Sequence, residues 1–247
     1  MKEKHPGSLF ITMTNANTKT TAVIPAGGSG RRMQSSEAKQ YLLLQGTPLL
    51  VHTLRIFQES PVIGDIVLVV PVNDVSMIQS DIVDAFAMTK IRQVVAGGKE
   101  RQDSVRNGLA VLPADCEIVI IHDAARPFVS PALIEKAVDG AVQEGAVAVG
   151  VRVKDTVKKC DGEGRVMDTL DREQIWMAQT PQAFRRATIV AAHQKAREDN
   201  FYGTDDAVLV ERMGIPVRMI DGIPDNIKIT TTEDLAWAEC RLSARKL

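Results

Sequence analysis

The chain has 247 residues, 45% hydrophobic and 25% charged, enough to bury the core of one large α/β domain and too few for a second complete one. A net charge of −1 and a pI near 6.4 exclude a global attraction to nucleic acid or to an anionic membrane, so positive charge matters only where it is local. Cys116, Cys160 and Cys240 are odd in number, far apart and without C-x-x-C spacing, which argues against a disulfide framework or a zinc site and fits a reducing cytoplasm.

Residues 1–19 read as a disordered extension. Their apolar stretch, Leu9-Phe-Ile-Thr-Met13, is too short for a secretory core or a bilayer span, and Met13 is an alternative start. A single folded domain is expected over 20–247. Its first strand, Ala22–Pro25, runs into Ala26, Gly27, Gly28, Ser29 and Gly30, with Arg31, Arg32 and Lys39 close behind. Glycines at the carboxyl end of a buried parallel strand let successive backbone N–H groups turn toward an anion, and forked Arg contacts suit phosphate oxygens. A polyphosphate is the expected guest, with a plain solvated basic turn as the alternative. The dinucleotide fingerprint fails because Met33 stands where its third glycine belongs, and no Gly-Lys-Ser/Thr string supplies a P-loop.

Further strands are expected at Asp65–Val70, Arg92–Val95, Glu117–His122 and Ala146–Val151, with amphipathic helices at Pro48–Gln58, Val75–Met88, Arg101–Val111 and Pro131–Gln143. This alternation predicts a mostly parallel sheet with helices on both faces. The rhythm breaks at about 154–180, where Asp161-Gly-Glu-Gly164 is a turn signal between two short polar strands. Such a β-arm holds too few apolar residues to stand alone and is expected to pack on another subunit. Helices at Arg186–Arg197 and Asp205–Met213, a strand at Val217–Asp221, the segment Asn226–Thr230 and a helix from Glu233 complete the chain.

Polar clusters gather where strands end. Gly97-Gly98 follows the third strand, and Ser104, one turn into the next helix, can meet a nucleobase edge; a glycine pair is also what an ordinary turn uses. His122-Asp-Ala-Ala-Arg126-Pro follows the fourth. Asp123 can hold Mg²⁺ against phosphate oxygens while Ala124 and Ala125 leave room for a sugar, and His122 reads as a packed strand-end residue. His5, His52 and His193 sit in tail or helix contexts without a second His at metal spacing. Asp205 and Asp206 read as a helix cap. Lys228 alternates with Ile227 and Ile229, so on a strand it would project from the opposite face and reach a cleft.

Taken together, Pro25-Ala-Gly-Gly-Ser-Gly-Arg-Arg-Met with Lys39-Gln, Gly97-Gly-Lys-Glu-Arg-Gln-Asp-Ser-Val, His122-Asp-Ala-Ala-Arg-Pro, Asp155-Thr-Val-Lys-Lys, Gln179-Thr-Pro-Gln, Gly203-Thr-Asp-Asp-Ala and Asn226-Ile-Lys-Ile-Thr resemble the 2-C-methyl-D-erythritol 4-phosphate cytidylyltransferases. The likeness runs in order from about Thr20 to the C-terminus. It departs at Gly27, where Ala is common in the family, and at Lys99, where an acid is often found.

The resemblance implies a Rossmann-like nucleotidyltransferase domain with a protruding β-arm. Its implied activity is transfer of CMP from CTP to methylerythritol phosphate, with Mg²⁺ or Mn²⁺ as cofactor, in non-mevalonate isoprenoid synthesis. Arg32 and Lys39 match the pair that neutralises charge on the α-phosphate, and Arg172 and Lys228 the pair that positions the incoming phosphate. Ala26, Gly27, Gly28, Ser29, Gly30, Gly98, Ser104 and Ala124 match nucleotide contacts, while Asp123, Arg126 and Thr156 match substrate contacts, Asp123 also holding the metal. Thr156 and Arg172 would come from the other subunit of a homodimer. Cytidylyltransferases for other polyol phosphates, such as ribitol 5-phosphate, share the glycine loop, Gln-Thr-Pro-Gln and Asn-Ile-Lys; His-Asp-Ala-Ala-Arg-Pro and Gly-Thr-Asp-Asp-Ala favour methylerythritol phosphate. A non-catalytic nucleotide-binding regulator would not need Arg32, Lys39, Asp123 and Lys228 together.

Overall fold

A computed structural model describes residues 18–27 and 41–244. Its strands are β1 (Thr20–Pro25), β2 (Leu43–Leu44), β3 (Thr47–Pro48), β4 (Asp65–Val70), β5 (Ile91–Ala96), β6 (Ile118–Ile121), β7 (Ala146–Arg152), β8 (Val157–Cys160), β9 (Val166–Leu170), β10 (Trp176–Arg185) and β11 (Arg218–Asp221). Its α-helices are α1 (Leu49–Glu59), α2 (Val75–Ile78), α3 (Arg101–Leu109), α4 (Pro131–Glu144), α5 (Arg186–Glu198), α6 (Ala207–Glu211) and α7 (Thr232–Ala244).

Alternation along β1 and β4 divides the core. Ala22, Ile24, Ile66 and Leu68 point to the face covered by α1, α2 and α4, where Leu54, Phe57, Ile78 and Ile134 meet them. Val23, Val67 and Val69 point to the other face, against Val105 and Leu109 of α3, Ile189 of α5 and Leu209 of α6. A strand buried on both faces has no room for polar residues, which is why these runs are continuously apolar. A smaller cluster of Leu44, Leu49, Phe128, Ile229 and Ala238 seats α7 beside the sheet.

The seven-stranded sheet has the order β11-β7-β10-β6-β1-β4-β5, with β10 antiparallel to both neighbours and the other pairings parallel. The chain leaves β1 toward β4 on one side and returns to β6 on the other, so the order reverses at β1 and opens a crevice beyond the carboxyl ends of β1 and β6. Local signals set the helices around it. Ser130 accepts from the Leu133 N–H at 3.2 Å with Pro131 in the first turn, and Gly145 ends α4 at a φ of 86°.

Four expectations need correction. The arm is shorter than 154–180: β8 and β9 pair with each other, but Trp176 already rejoins the main sheet, where β10 runs between β6 and β7. Pro181 disguised this strand, whose register shifts between Ala178 and Gln182. The helix expected over Val75–Met88 is one α-helical turn continued by a wider π-helical stretch, Gln79–Asp84, which places Ile78, Ile82 and Val83 in the core. Asn226–Thr230 is not a strand; it is anchored instead by the Ile229 N–H donating to the Ala125 carbonyl at 2.9 Å. The helix expected over Asp205–Met213 is confined to α6.

Candidate functional site

The crevice at β1 and β6 is a cleft of about 290 Å³. Ala26 and Gly27 enter it from the end of β1, Gly98 and Ser104 from the turn into α3, Asp123 and Ala124 from the end of β6, and Lys228 from the segment before α7. Segments about two hundred residues apart in sequence thus converge on one strand edge. Gly28, Ser29, Gly30, Arg32 and Lys39 lie outside the described residues.

Asp123 is the electrostatic centre. Its Oδ1 accepts from Arg101 Nε at 3.0 Å, its Oδ2 pairs with Lys228 Nζ at 2.8 Å, and Arg126 Nε stands 3.8 Å from Oδ2. Burial by itself would raise the Asp123 pKa, but Arg101 and Lys228 outweigh it and hold the carboxyl well below its usual range. Arg101 also reaches Asp206 Oδ2 at 2.8 Å, and Asp206 is fully buried. Desolvation opposes the Arg101 charge, but the two carboxylates prevail and leave it more firmly protonated than a free guanidinium.

A second layer fixes these groups. The Asp123 N–H donates to Thr180 Oγ1 at 3.0 Å, and Thr180 Oγ1 lies 3.1 Å from His122 Nδ1, whose ring donates from Nε2 to the Arg126 carbonyl. Thr180 thus accepts from Asp123 and donates to His122. Burial depresses the His122 pKa to about 4, so the ring is neutral and suited to that chain of bonds. The irregularity in β10 leaves the Thr180 carbonyl to accept from Asn226 Nδ2 at 2.7 Å, and the Asn226 carbonyl accepts from Arg126 at 2.7 Å. The Gln-Thr-Pro-Gln and Asn-Ile-Lys strings therefore meet, and their junction delivers Lys228 to Asp123.

The turn before α3 is tightly built. Ser104 Oγ accepts from the Gly98 N–H at 3.1 Å and donates to the Glu100 carbonyl, so its hydroxyl first shapes the turn that it shares with the cleft. A Cβ on Gly98 would come within 2.3 Å of Asp103 Cβ. Asp103 in turn accepts from the Glu100 N–H.

The structure does not bring every expected residue to the cleft. Thr156 is exposed near the arm, and Arg172 is exposed with its guanidinium donating to the Lys154 carbonyl at 2.8 Å; neither lines the cleft of its own chain. Arg126 is mostly buried beneath the cleft rather than lining it. Asp205 caps α6 by accepting from the Val208 N–H at 3.1 Å, but the Asp206 side chain makes no cap bond; it is a buried counter-ion for Arg101 and accepts a hydrogen bond from His193. His193 is likewise not a plain helix residue. Arg101, Thr180, Asp206 and His193 were missed as site residues; for Arg101 the signal was its place immediately after the glycine turn.

Among the described residues no group of three His, Cys, Asp or Glu is placed to hold a metal ion. A single buried carboxylate does fit Mg²⁺, which is commonly held by one or two carboxylates and completed by substrate phosphates, so Asp123 suits an ion that arrives with a nucleotide. No described helix is long and apolar enough to cross a membrane.

Residues 20–244 match the family model described as 2-C-methyl-D-erythritol 4-phosphate cytidylyltransferase. A protein of that name from Syntrophus aciditrophicus (strain SB) is 53% identical over 224 residues, covering 91% of this chain and 96% of its own. Among solved structures, 4-diphosphocytidyl-2C-methyl-D-erythritol synthase from Anaerococcus prevotii DSM 20548 superposes with a TM-score of 0.81 at 32% identity, covering 92% of this chain and 99% of its own. The 2-C-methyl-D-erythritol 4-phosphate cytidylyltransferase of Francisella tularensis superposes with a TM-score of 0.76, also at 32% identity, covering 91% and 100%.

Proposed function

Because the chain belongs to the 2-C-methyl-D-erythritol 4-phosphate cytidylyltransferase family, we propose that its cleft transfers CMP from CTP to 2-C-methyl-D-erythritol 4-phosphate. A phosphate oxygen of the methylerythritol phosphate attacks the α-phosphorus of CTP, the bond to the β-phosphate breaks, and pyrophosphate leaves. The observation that carries this reading is the set of three cations, Arg101, Arg126 and Lys228, gathered on the one carboxylate Asp123 at the crevice where an α/β sheet binds nucleotides.

Positive charge held before the reaction begins lowers the barrier most where negative charge builds up. Lys228 reaches Asp123 from a segment pinned by Asn226, so its ammonium is preorganised to meet an incoming phosphate. By family resemblance Arg32 and Lys39 neutralise the α-phosphate, while Ala26, Gly27, Gly28, Ser29 and Gly30 cradle the triphosphate. Gly98, Ser104 and Ala124 form the nucleoside side. Mg²⁺ or Mn²⁺, when bound at Asp123, supplies Lewis-acid stabilisation of the departing pyrophosphate. By the same resemblance Thr156 and Arg172 contact methylerythritol phosphate, while Arg126 supports the site from beneath through Asp123 and the Asn226 carbonyl. Thr156 and Arg172 serve the neighbouring subunit's cleft in a homodimer joined through the arm.

A pyrophosphate-release assay with CTP, run against methylerythritol phosphate and ribitol 5-phosphate in parallel, tests the assignment. Turnover is expected with the first and little with the second; the reverse would assign the enzyme to another polyol phosphate. Excess EDTA should abolish turnover, and added Mg²⁺ should restore it; full activity in metal-free buffer would remove the metal from Asp123.

A further inference from the structure

His193 lies on α5, outside every string that carries the family resemblance, yet its side chain is 1% exposed and tied to the cleft. Its Nε2 donates to Asp206 Oδ1 at 3.1 Å, Asp206 Oδ2 accepts from Arg101 at 2.8 Å, and Arg101 Nε donates to Asp123 Oδ1 at 3.0 Å. Three contacts thus run from a helix on one face of the sheet to the carboxylate that lines the cleft.

The two ends of Asp206 are fixed differently. Its backbone N–H and that of Ala207 donate to Gln182 Oε1 at 3.2 and 3.0 Å, which sets where the residue stands. The orientation of its carboxylate depends on His193 and Arg101. Among the described residues His193 Nδ1 has no hydrogen-bond partner, and the Asp206 contact is the ring's only hydrogen bond there. A guanidinium shared by two carboxylates also keeps a counter-ion if one of them turns to another cation.

We propose that His193 is a positioning residue of the cleft: by holding one oxygen of Asp206 it presents the other to Arg101, and the shared Arg101 fixes the carboxylate of Asp123. The inference rests on the reading of Asp123 as the carboxylate that meets the metal-bound nucleotide. Removing a partner that orients a ligating group commonly weakens binding by about ten- to a hundredfold without touching the ligand.

Two amide substitutions separate positioning from mere occupancy of the core. Gln places its Nε2 about where the histidine Nε2 stands, whereas the Asn amide ends near the Nδ1 position and falls short of Asp206. In calorimetric titration of CTP with Mg²⁺, His193→Gln should bind within about twofold of the wild type and His193→Asn about tenfold more weakly. Asp206→Asn, isosteric with the native residue, should match the weaker variant, and it carries the test if either amide variant fails to fold. Equal affinity in the Gln and Asn variants, or wild-type affinity in Asp206→Asn, would overturn the proposal, even if both variants showed a lower melting temperature. A wild-type protein that bound no CTP would instead remove the nucleotide assignment, and this inference with it.

Discussion

At the scale of single residues, the site is a balance between burial and charge around Asp123. Lys228→Ala removes the ammonium at 2.8 Å from Oδ2 but leaves Arg101 in place, and the Lys228 side chain is 39% exposed. Stability should therefore change by less than about 1 kcal/mol in urea titration, while kcat/KM for methylerythritol phosphate falls by about a hundredfold. Arg32→Ala and Lys39→Ala are expected to lower kcat by a similar factor while weakening CTP binding far less, because neutralisation counts most in the transition state. Unchanged kcat with a raised KM would remove them from that role. His122 gives a pH dependence. Its folded pKa, near 4, lies below the ordinary histidine value, so the unfolded chain binds the extra proton first as pH falls. Stability is then full above about pH 6.5 and declines by up to about 3 kcal/mol toward pH 4. Melting curves over that range should show a shallower slope in His122→Gln, which has no proton to gain there.

At the scale of elements, the cleft depends on turns whose shape leaves no spare volume. Gly98 sits where a side chain would strike Asp103 in the first turn of α3, and the Ser104 hydroxyl closes the same turn. Gly98→Ala should destabilise the protein by about 1–3 kcal/mol and raise the KM for CTP, since α3 must shift at the end that carries Arg101. Wild-type stability and KM in that variant would show that the turn can relax at no cost. The junction of β10 with Asn226 works in the same way. It was visible in the sequence as two separate strings, and only the break in the β10 register shows that one completes the hydrogen bonds of the other.

For the whole molecule, the arm poses the main question. The β8–β9 hairpin exposes Val166 and Met167 and carries few apolar residues of its own, while Thr156 and Arg172 stand away from the cleft of their own chain. A two-fold dimer in which each arm completes the other site accounts for both facts. Mixing Arg172→Ala with Lys39→Ala chains, each nearly inactive alone, should restore up to about a quarter of wild-type activity after random subunit exchange. No recovery despite demonstrated exchange would assign Arg172 to its own chain's site.

The sequence by itself determined the α/β alternation, the burial of β1 and β4, and the family, because these depend on local periodicity and on strings of neighbouring residues. Asp65–Val70 was legible to the residue for that reason. It also marked Gly27, Gly98, Asp123 and Lys228 as candidates for one site. What only the tertiary structure decided was which groups neutralise one another. Arg101 between Asp123 and Asp206, His193 behind Asp206, and Thr180 between Asp123 and His122 join residues from 13 to 105 positions apart. No local pattern records such pairings, because a buried charge is satisfied by whatever the packing of distant elements brings within hydrogen-bond reach.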